Sequence, residues 1–334
     1  MTERPSGQQL KPQAGAALLA AMLTVTLVAT FAAAALWQQW RSVEVEIAER
    51  ARVQSAWILT GALDWSRLIL REDARSGGAD HLAEPWAVPL QESRLSTFLA
   101  SSDGAATVDA NSTDTQDAFL SGQIIDLQSM LNVWSLVEGG KISEPQRNAF
   151  QRLFELLGLP ANELGIMVEN LRFAADMSPD NKSGGQAPLM PQHVEQLTWL
   201  GLSPHTVSVL LPYVTLLPAT APLNLNTASP EVIAASLDGM SLADAQRIVQ
   251  ERDRSHFRST ADVAKILPGL DTQLSEGRHA VASRFFEVRG RLRIDQTAVE
   301  ERSVLQRNGL DVKVLWRQRG VVDAMSLATA TPAQ

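Results

Sequence analysis

The 334-residue chain contains no cysteine, which excludes disulfides, cysteine-based zinc sites and thiol nucleophiles. That absence is compatible with an oxidising compartment without proving one. Positive charge is not in excess either. Lys plus Arg number 29 against 37 Asp plus Glu, for a formal net charge of −8, the wrong sign for a protein that lives on nucleic-acid phosphates unless it holds a local basic patch. The five histidines, His81, His193, His205, His256 and His279, are scattered and show no metal-ligand spacing. No glycine-rich phosphate loop and no Gly-x-Ser-x-Gly elbow is present. An enzyme is therefore not expected. Disorder is not expected either, because hydrophobic residues make up 45% and charged residues 20%. The length suits two or three folded units at about 100 to 200 residues each.

What the chain does have begins at its N-terminus. Residues Ala16 to Leu36 carry no charge and, at about 1.5 Å per residue, are long enough to cross one bilayer core. Thr24, Thr26 and Thr30 interrupt the run, but their hydroxyls can bond back to helix carbonyls. Arg4 and Lys11 stand against Glu3 before it, so the positive-inside tendency keeps the short end cytoplasmic and the bulk outside. A cleaved secretory signal ending near Ala32 to Ala35 is the alternative. Its apolar region would exceed the roughly 7 to 15 residues expected, which favours a retained anchor.

The helical pattern then continues past Trp37 and Trp40, which are placed like interfacial anchors. Apolar residues recur at Val43, Ile47, Ala51, Ile58, Ala62, Trp65 and Ile69, three or four apart except where Gln54 occupies the stripe. Glu46 and Arg50 stand in the favourable i, i+4 order. The spacing predicts one helix of about 55 to 60 residues that leaves the membrane and becomes the spine of a folded domain. Trp57, Trp65 and their aliphatic neighbours suit packing on a sheet better than a coiled-coil seam.

The remainder reads as a sheet interrupted by helices. Ala79 to Pro89 is a loop, and Ser101 to Asp117 is rich in Asp, Asn, Ser and Thr. Phe119 to Asp126 and Ser129 to Leu136 are expected as strands. Ser143-Glu-Pro-Gln146 reads as a capping box opening a helix to about Leu157. Similar starts occur at Ser203, Ser229, Ser241 and Ser259. Arg284 to Ile294, Ala298 to Arg307 and Leu310 to Arg317 are β-rich, with Asn308-Gly309 as a hairpin signal. The expected fold class is α+β, with a long N-terminal spine helix on an antiparallel sheet and a large all-α domain inserted in the sheet region. The expected divisions are 1–15, a leader; 16–36, the membrane span; 37–142, the spine and the first part of the sheet domain; 143–280, the insertion; 281–320, the closing strands; and 321–334, a disordered tail.

A short polar segment ending at Gly15 and followed at once by an apolar helix resembles the substrates of prepilin peptidase, the type IV pilins and pseudopilins. Most members carry glutamate five residues after the cut. Counted from Ala16, that position is Ala20. Its absence, with Gly15-Ala-Ala-Leu-Leu, Trp37-Gln-Gln-Trp-Arg41, Gly61-Ala-Leu-Asp-Trp65, Arg71-Glu-Asp73, Leu211-Pro-Tyr-Val to Leu217-Pro218 and Leu223-Asn-Leu-Asn-Thr-Ala228, resembles the minor pseudopilin K family of the type II secretion system over nearly the whole chain. The resemblance implies a pseudopilin fold with an all-α insertion and a non-enzymatic tip subunit of the periplasmic pseudopilus. It further implies minor pseudopilins I and J, prepilin peptidase and the inner-membrane secretion platform as partners, and the inner membrane as location. In filament-forming relatives the glutamate pairs with the terminal amine of the subunit above, so a chain with Ala20 needs no such neighbour. Calcium is a possible ligand by the same resemblance, and Asp103, Asp109, Asn111, Asp114 and Asp117 are oxygen-rich enough to contribute, although no ligand set follows.

Residues 223–270 also resemble the helix-hairpin-helix module of membrane-anchored DNA receptors, the alternative function. That module places glycine at both hairpin positions so that backbone amides approach a phosphate. Here the second position is Ser241, and Arg247, Arg252, Arg254 and Arg258 are interleaved with Asp238, Asp244, Glu251 and Asp253. So balanced a patch releases few counterions, and DNA binding is not expected.

Overall fold

The structure is a computed structural model that describes residues 14–97, 118–176, 187–267, 269, 273–275, 277–294 and 297–323. The chain divides into two compact units, Met1–Ile58 and Leu59–Gln334. One helix, α1 (Ala14–Ser76, 63 residues), begins in the first and ends in the second, longer than the pattern predicts. The threonine hydroxyls of its apolar part donate to carbonyls three or four residues back, Thr30 to Leu27 at 2.8 Å for example.

The second unit is built on one five-stranded sheet. Its strands are β1 (Leu90–Arg94), β2 (Ala118–Asp126), β3 (Phe285–Ile294), β4 (Thr297–Asn308) and β5 (Asp311–Asp323), in that spatial order and antiparallel throughout. Gly309 takes φ of 58° in the β4–β5 turn, a conformation glycine adopts without steric cost. Alternation puts Phe286 and Val288 of β3 on the face that packs with Leu63 and Leu70 of α1 and with Trp86. Gly290 lies on the same face. A Cβ there would come within 3.3 Å of Leu59 Cδ2, so glycine lets helix and sheet approach. The opposite face offers Phe285 and Val304 to Leu127 and Leu217.

Between Asp126 and Phe285 the chain leaves the sheet and returns to the neighbouring strand, Asp126 pairing with Phe286. The excursion holds α2 (Glu144–Leu156), α3 (Ala161–Ala175), a 3-10 helix Val194–Leu200, α4 (Pro204–Leu210), α5 (Pro230–Ser236), α6 (Leu242–Arg254) and α7 (Thr260–Ala264). Phe150, Leu153, Met167, Leu171, Ile233 and Ile248 are among its fully buried side chains. Ser203, Ser229 and Ser241 cap their helices by accepting from Thr206, Val232 and Asp244 N–H.

Several expectations are corrected. Residues 129–136 are not a strand but two 3-10 turns around the bridge Leu131–Asn132. The reason is local: Asp126 and Asn132 accept the N–H groups of Gln128 and Trp134, two residues on, which folds the backbone away from extended geometry. Ser143 makes no side-chain cap, its own N–H donating to Leu136 O instead. The loop 79–89 contains a 3-10 turn, Pro85–Ala87, that buries Trp86. Trp57 and Trp65 do not pack into the sheet, being 73% and 40% exposed. Strand β5 runs past the expected end at Arg317 because its register with β4 continues to Thr297↔Asp323.

Candidate functional site

Gly15, Ala16 and Ala20 lie in the first turns of α1, exposed and uncharged. Farther along the first unit, Val43 and Ile47 are exposed and Ala51 and Ile58 half-buried. In the second unit Ala62 and Ile69 are half-buried. With Leu59, Leu63, Trp65 and Ser66 they wall a cleft of about 270 Å3, closed on the far side by Pro85, Trp86 and Val88 to Leu90. The side chains buried against the sheet are Leu59, Leu63 and Leu70, one position along from Ile58, Ala62 and Ile69. Spacing alone cannot say which side of a helix apolar on two faces meets the sheet.

The second feature is the junction of sheet and helices. Asp126 ends β2 and is fully enclosed. It accepts from Ser283 Oγ (2.6 Å), Thr227 Oγ1 (2.6 Å), Asn224 Nδ2 (3.0 Å) and Gln128 N (2.8 Å). Burial pushes its pKa up to about 6 against the opposing pull of those bonds. Asn224 also donates to Asp80 O and Ser283 Oγ, and Asn226 exchanges two bonds with Phe257, as donor to its carbonyl and acceptor of its N–H. The Leu223-Asn-Leu-Asn-Thr-Ala segment thus uses its polar side chains inside the protein. Nearby, Arg307 Nη1 donates to Asp73 at 2.5 Å and Nη2 to Asp80 and to Ser283 O.

Asp73, Asp80 and Glu84 offer carboxylate oxygens within 4.8 Å of one another. The Arg307 guanidinium already lies against two of them, so the group does not fit a divalent cation. The expected calcium contributors Asp103 to Asp117 lie outside the described residues. His81 and His256, distant in sequence, stack with ring centroids 3.8 Å apart, a pairing their spacing did not reveal. Buried His279 is pushed down to about 4, first by burial and then by Arg278.

Among the described residues of 223–270, the groups that the helix-hairpin-helix resemblance would turn to a phosphate are engaged within the protein. Ser241 Oγ caps α6 and donates to the Asp244 carboxylate at 2.7 Å, so that helix start already faces an anion. Arg252 is buried and donates to Leu225 O and Ala228 O. Arg254 pairs with Glu251 at 2.9 Å and Arg247 with Asp244 at 3.7 Å. The full chain in micelles is expected to show no DNA affinity of consequence. Submicromolar retention of duplex DNA at about 0.15 M salt with a steep salt slope would contradict this.

Residues 129–219 and residues 223–282 each match a family model described as type II secretion system (T2SS), protein K. The chain is 29% identical over 324 residues to the type II secretion system protein K of Pseudomonas aeruginosa, covering 90% of this chain and 91% of that one. Over most of its length the chain is similar to type II secretion system protein K. Protein K of Pectobacterium carotovorum subsp. carotovorum is 25% identical over 338 residues, covering 92% and 97%. A crystal structure of the GspK-GspI-GspJ complex from the enterotoxigenic Escherichia coli type 2 secretion system contains a chain similar at TM-score 0.61 and 17% identity, covering 82% of this chain and 98% of that one. That likeness gives the fold: the long apolar helix, the antiparallel sheet and the added helices are the protein K pseudopilin architecture. Within the protein K match, residues 223–282 take in Asn224 and Thr227 of the junction, with His256 and His279.

Proposed function

We propose that this chain is a member of the protein K family and a non-enzymatic minor pseudopilin at the tip of the periplasmic pseudopilus. In this reading prepilin peptidase removes residues 1–15, the span 16–36 holds the chain in the inner membrane, and the sheet and inserted helices of 143–280 stand in the periplasm. Minor pseudopilins I and J join it through the α1 face at Val43, Ile47, Ala51, Ile58, Ala62, Trp65 and Ile69. With the inner-membrane platform, the assembly supports protein export across the outer membrane. The observation that carries the proposal is α1 itself: one helix passes without a break from an uncharged apolar run into the packing of the sheet. A tether for a receptor has no need of that continuity. The related GspK stands in a complex with GspI and GspJ, and the absence of charge at Ala20 suits a subunit with nobody above it.

Native mass spectrometry of the full chain isolated from membranes with I and J tests the reading. The expected result is one copy per complex with a mature N-terminus at Ala16. A chain beginning after Ala33 or Ala35, the mark of an ordinary secreted protein, would contradict it.

A further inference from the structure

His81 lies in the loop that leaves α1, and His256 sits in the turn between α6 and α7. Their rings lie 3.8 Å apart and 11° from parallel, so the stack joins the sheet side of the molecule to the inserted helices. His81 Nδ1 accepts the N–H of Ala83 at 3.3 Å, which assigns the ring a neutral form with its proton on Nε2. A proton added at Nδ1 would set two N–H groups against each other. The charged groups facing the pair are Asp73 on α1, Asp80 and Glu84 in the loop, Arg307 on β4 and Arg258 in the same turn as His256. Asp73 and Asp80, the carboxylates that favour a charged His81, are already engaged by Arg307.

We propose that the His81–His256 stack is a proton-sensitive clamp between the loop after the spine helix and the inserted helical block, closed at neutral pH and opened by mild acid. Burial holds both imidazoles below the ordinary 6.5, and His256 is lowered further by His81 and Arg258. An opened or unfolded form therefore binds protons more readily than the closed one. The clamp's contribution is present above 6.5 and is lost as pH falls below it. In the closed form Phe257 is bonded to Asn226 and Asp80 accepts from Ser283 N–H, which anchors both segments beside the stack. A periplasmic domain has no membrane barrier as tight as the cytoplasm's against external acid, so such a device would let the inserted block respond to the medium.

Hydrogen exchange on the full chain in micelles, followed in peptides covering 79–84 and 255–259, tests the clamp. After correction for intrinsic rates, exchange in both segments is expected to be severalfold faster at about pH 5.5 than at about pH 7.5, the direction set by imidazoles held below their ordinary value in the closed form. His256→Phe keeps a stacking ring without a titrating one and should stay slow at both. An equal acid response in wild type and His256→Phe, or no response in wild type, overturns the proposal. Should the variant not fold, the imidazole Cε1 protons of the wild type decide. Coupled titration of His81 and His256 below 6.5 supports the clamp, and independent titration of either at or above 6.5 overturns it.

Discussion

Arg307→Ala is expected to destabilise the sheet and inserted helices by about 3 to 5 kcal/mol near neutral pH, the range for removing one partner of a buried ion pair. The Arg307 side chain is 9% exposed, and those of Asp80 and Asp73 are 4% and 11%. Burial already raises both carboxylates, Asp73 with help from Glu84, while Arg307 pulls them down. Without the guanidinium both rise further, and the folded variant escapes by taking up protons. A raised carboxylate costs the fold most at high pH and least once protonated, so the deficit should be larger at about pH 8 than at about pH 5. Arg307→Lys keeps the charge but loses the fork that reaches Asp73, Asp80 and Ser283 O together, and should fall between. Urea unfolding at the two pH values reads this directly. A loss under about 1 kcal/mol, the range of a solvent-exposed pair, or a deficit that grows on acidification, would mean that Arg307 does not hold the junction.

The second large effect concerns Ala20. A lone carboxylate costs about 2.5 to 3.5 kcal/mol at the bilayer centre on insertion scales, and less toward the end of the span, where Ala20 is the fifth residue of 16–36. A subunit with a neighbour above could offset that through the neighbour's terminal amine, whereas a tip subunit has none. Ala20→Glu should therefore lower recovery of the complex with I and J from membranes severalfold, since a factor of ten takes about 1.4 kcal/mol and only part of the central cost applies at this depth, with Ala20→Gln less affected. Undiminished recovery of Ala20→Glu would imply a partner above position 20 and contradict the tip assignment.

How much of this could be read from the sequence differs by element. The spine helix, the β2 strand, the closing hairpin and the serine-capped helices were legible because each is a local matter of spacing, turn chemistry or capping. Residues 129–136 were not, since Asp126 and Asn132 divert the backbone through side-chain bonds that alternation does not register. The junction was less legible still. Asp126, Asn224, Ser283 and Arg307 are far apart in sequence and meet only because the inserted block leaves β2 and returns beside it at β3. The Leu223-Asn-Leu-Asn-Thr-Ala segment was visible as a motif, but its use became clear only when Asn224 and Thr227 were found on Asp126. The same distance hid the stacked histidines. On the spine the period was legible, but that Leu59, Leu63 and Leu70 are the side chains buried against the sheet was not, because they form a second apolar stripe beside the one that spacing picks out.

Because the chain has no native cysteine, single cysteines can be placed without background, and cross-linking in membranes tests the central claim most directly. With cysteine in turn at Val43, Ile47, Ala62, Trp65 and Ile69, the predicted result is discrete products with minor pseudopilins I and J, each containing one copy of this chain. Ladders of homopolymer from the same positions, with I and J absent, would contradict the account.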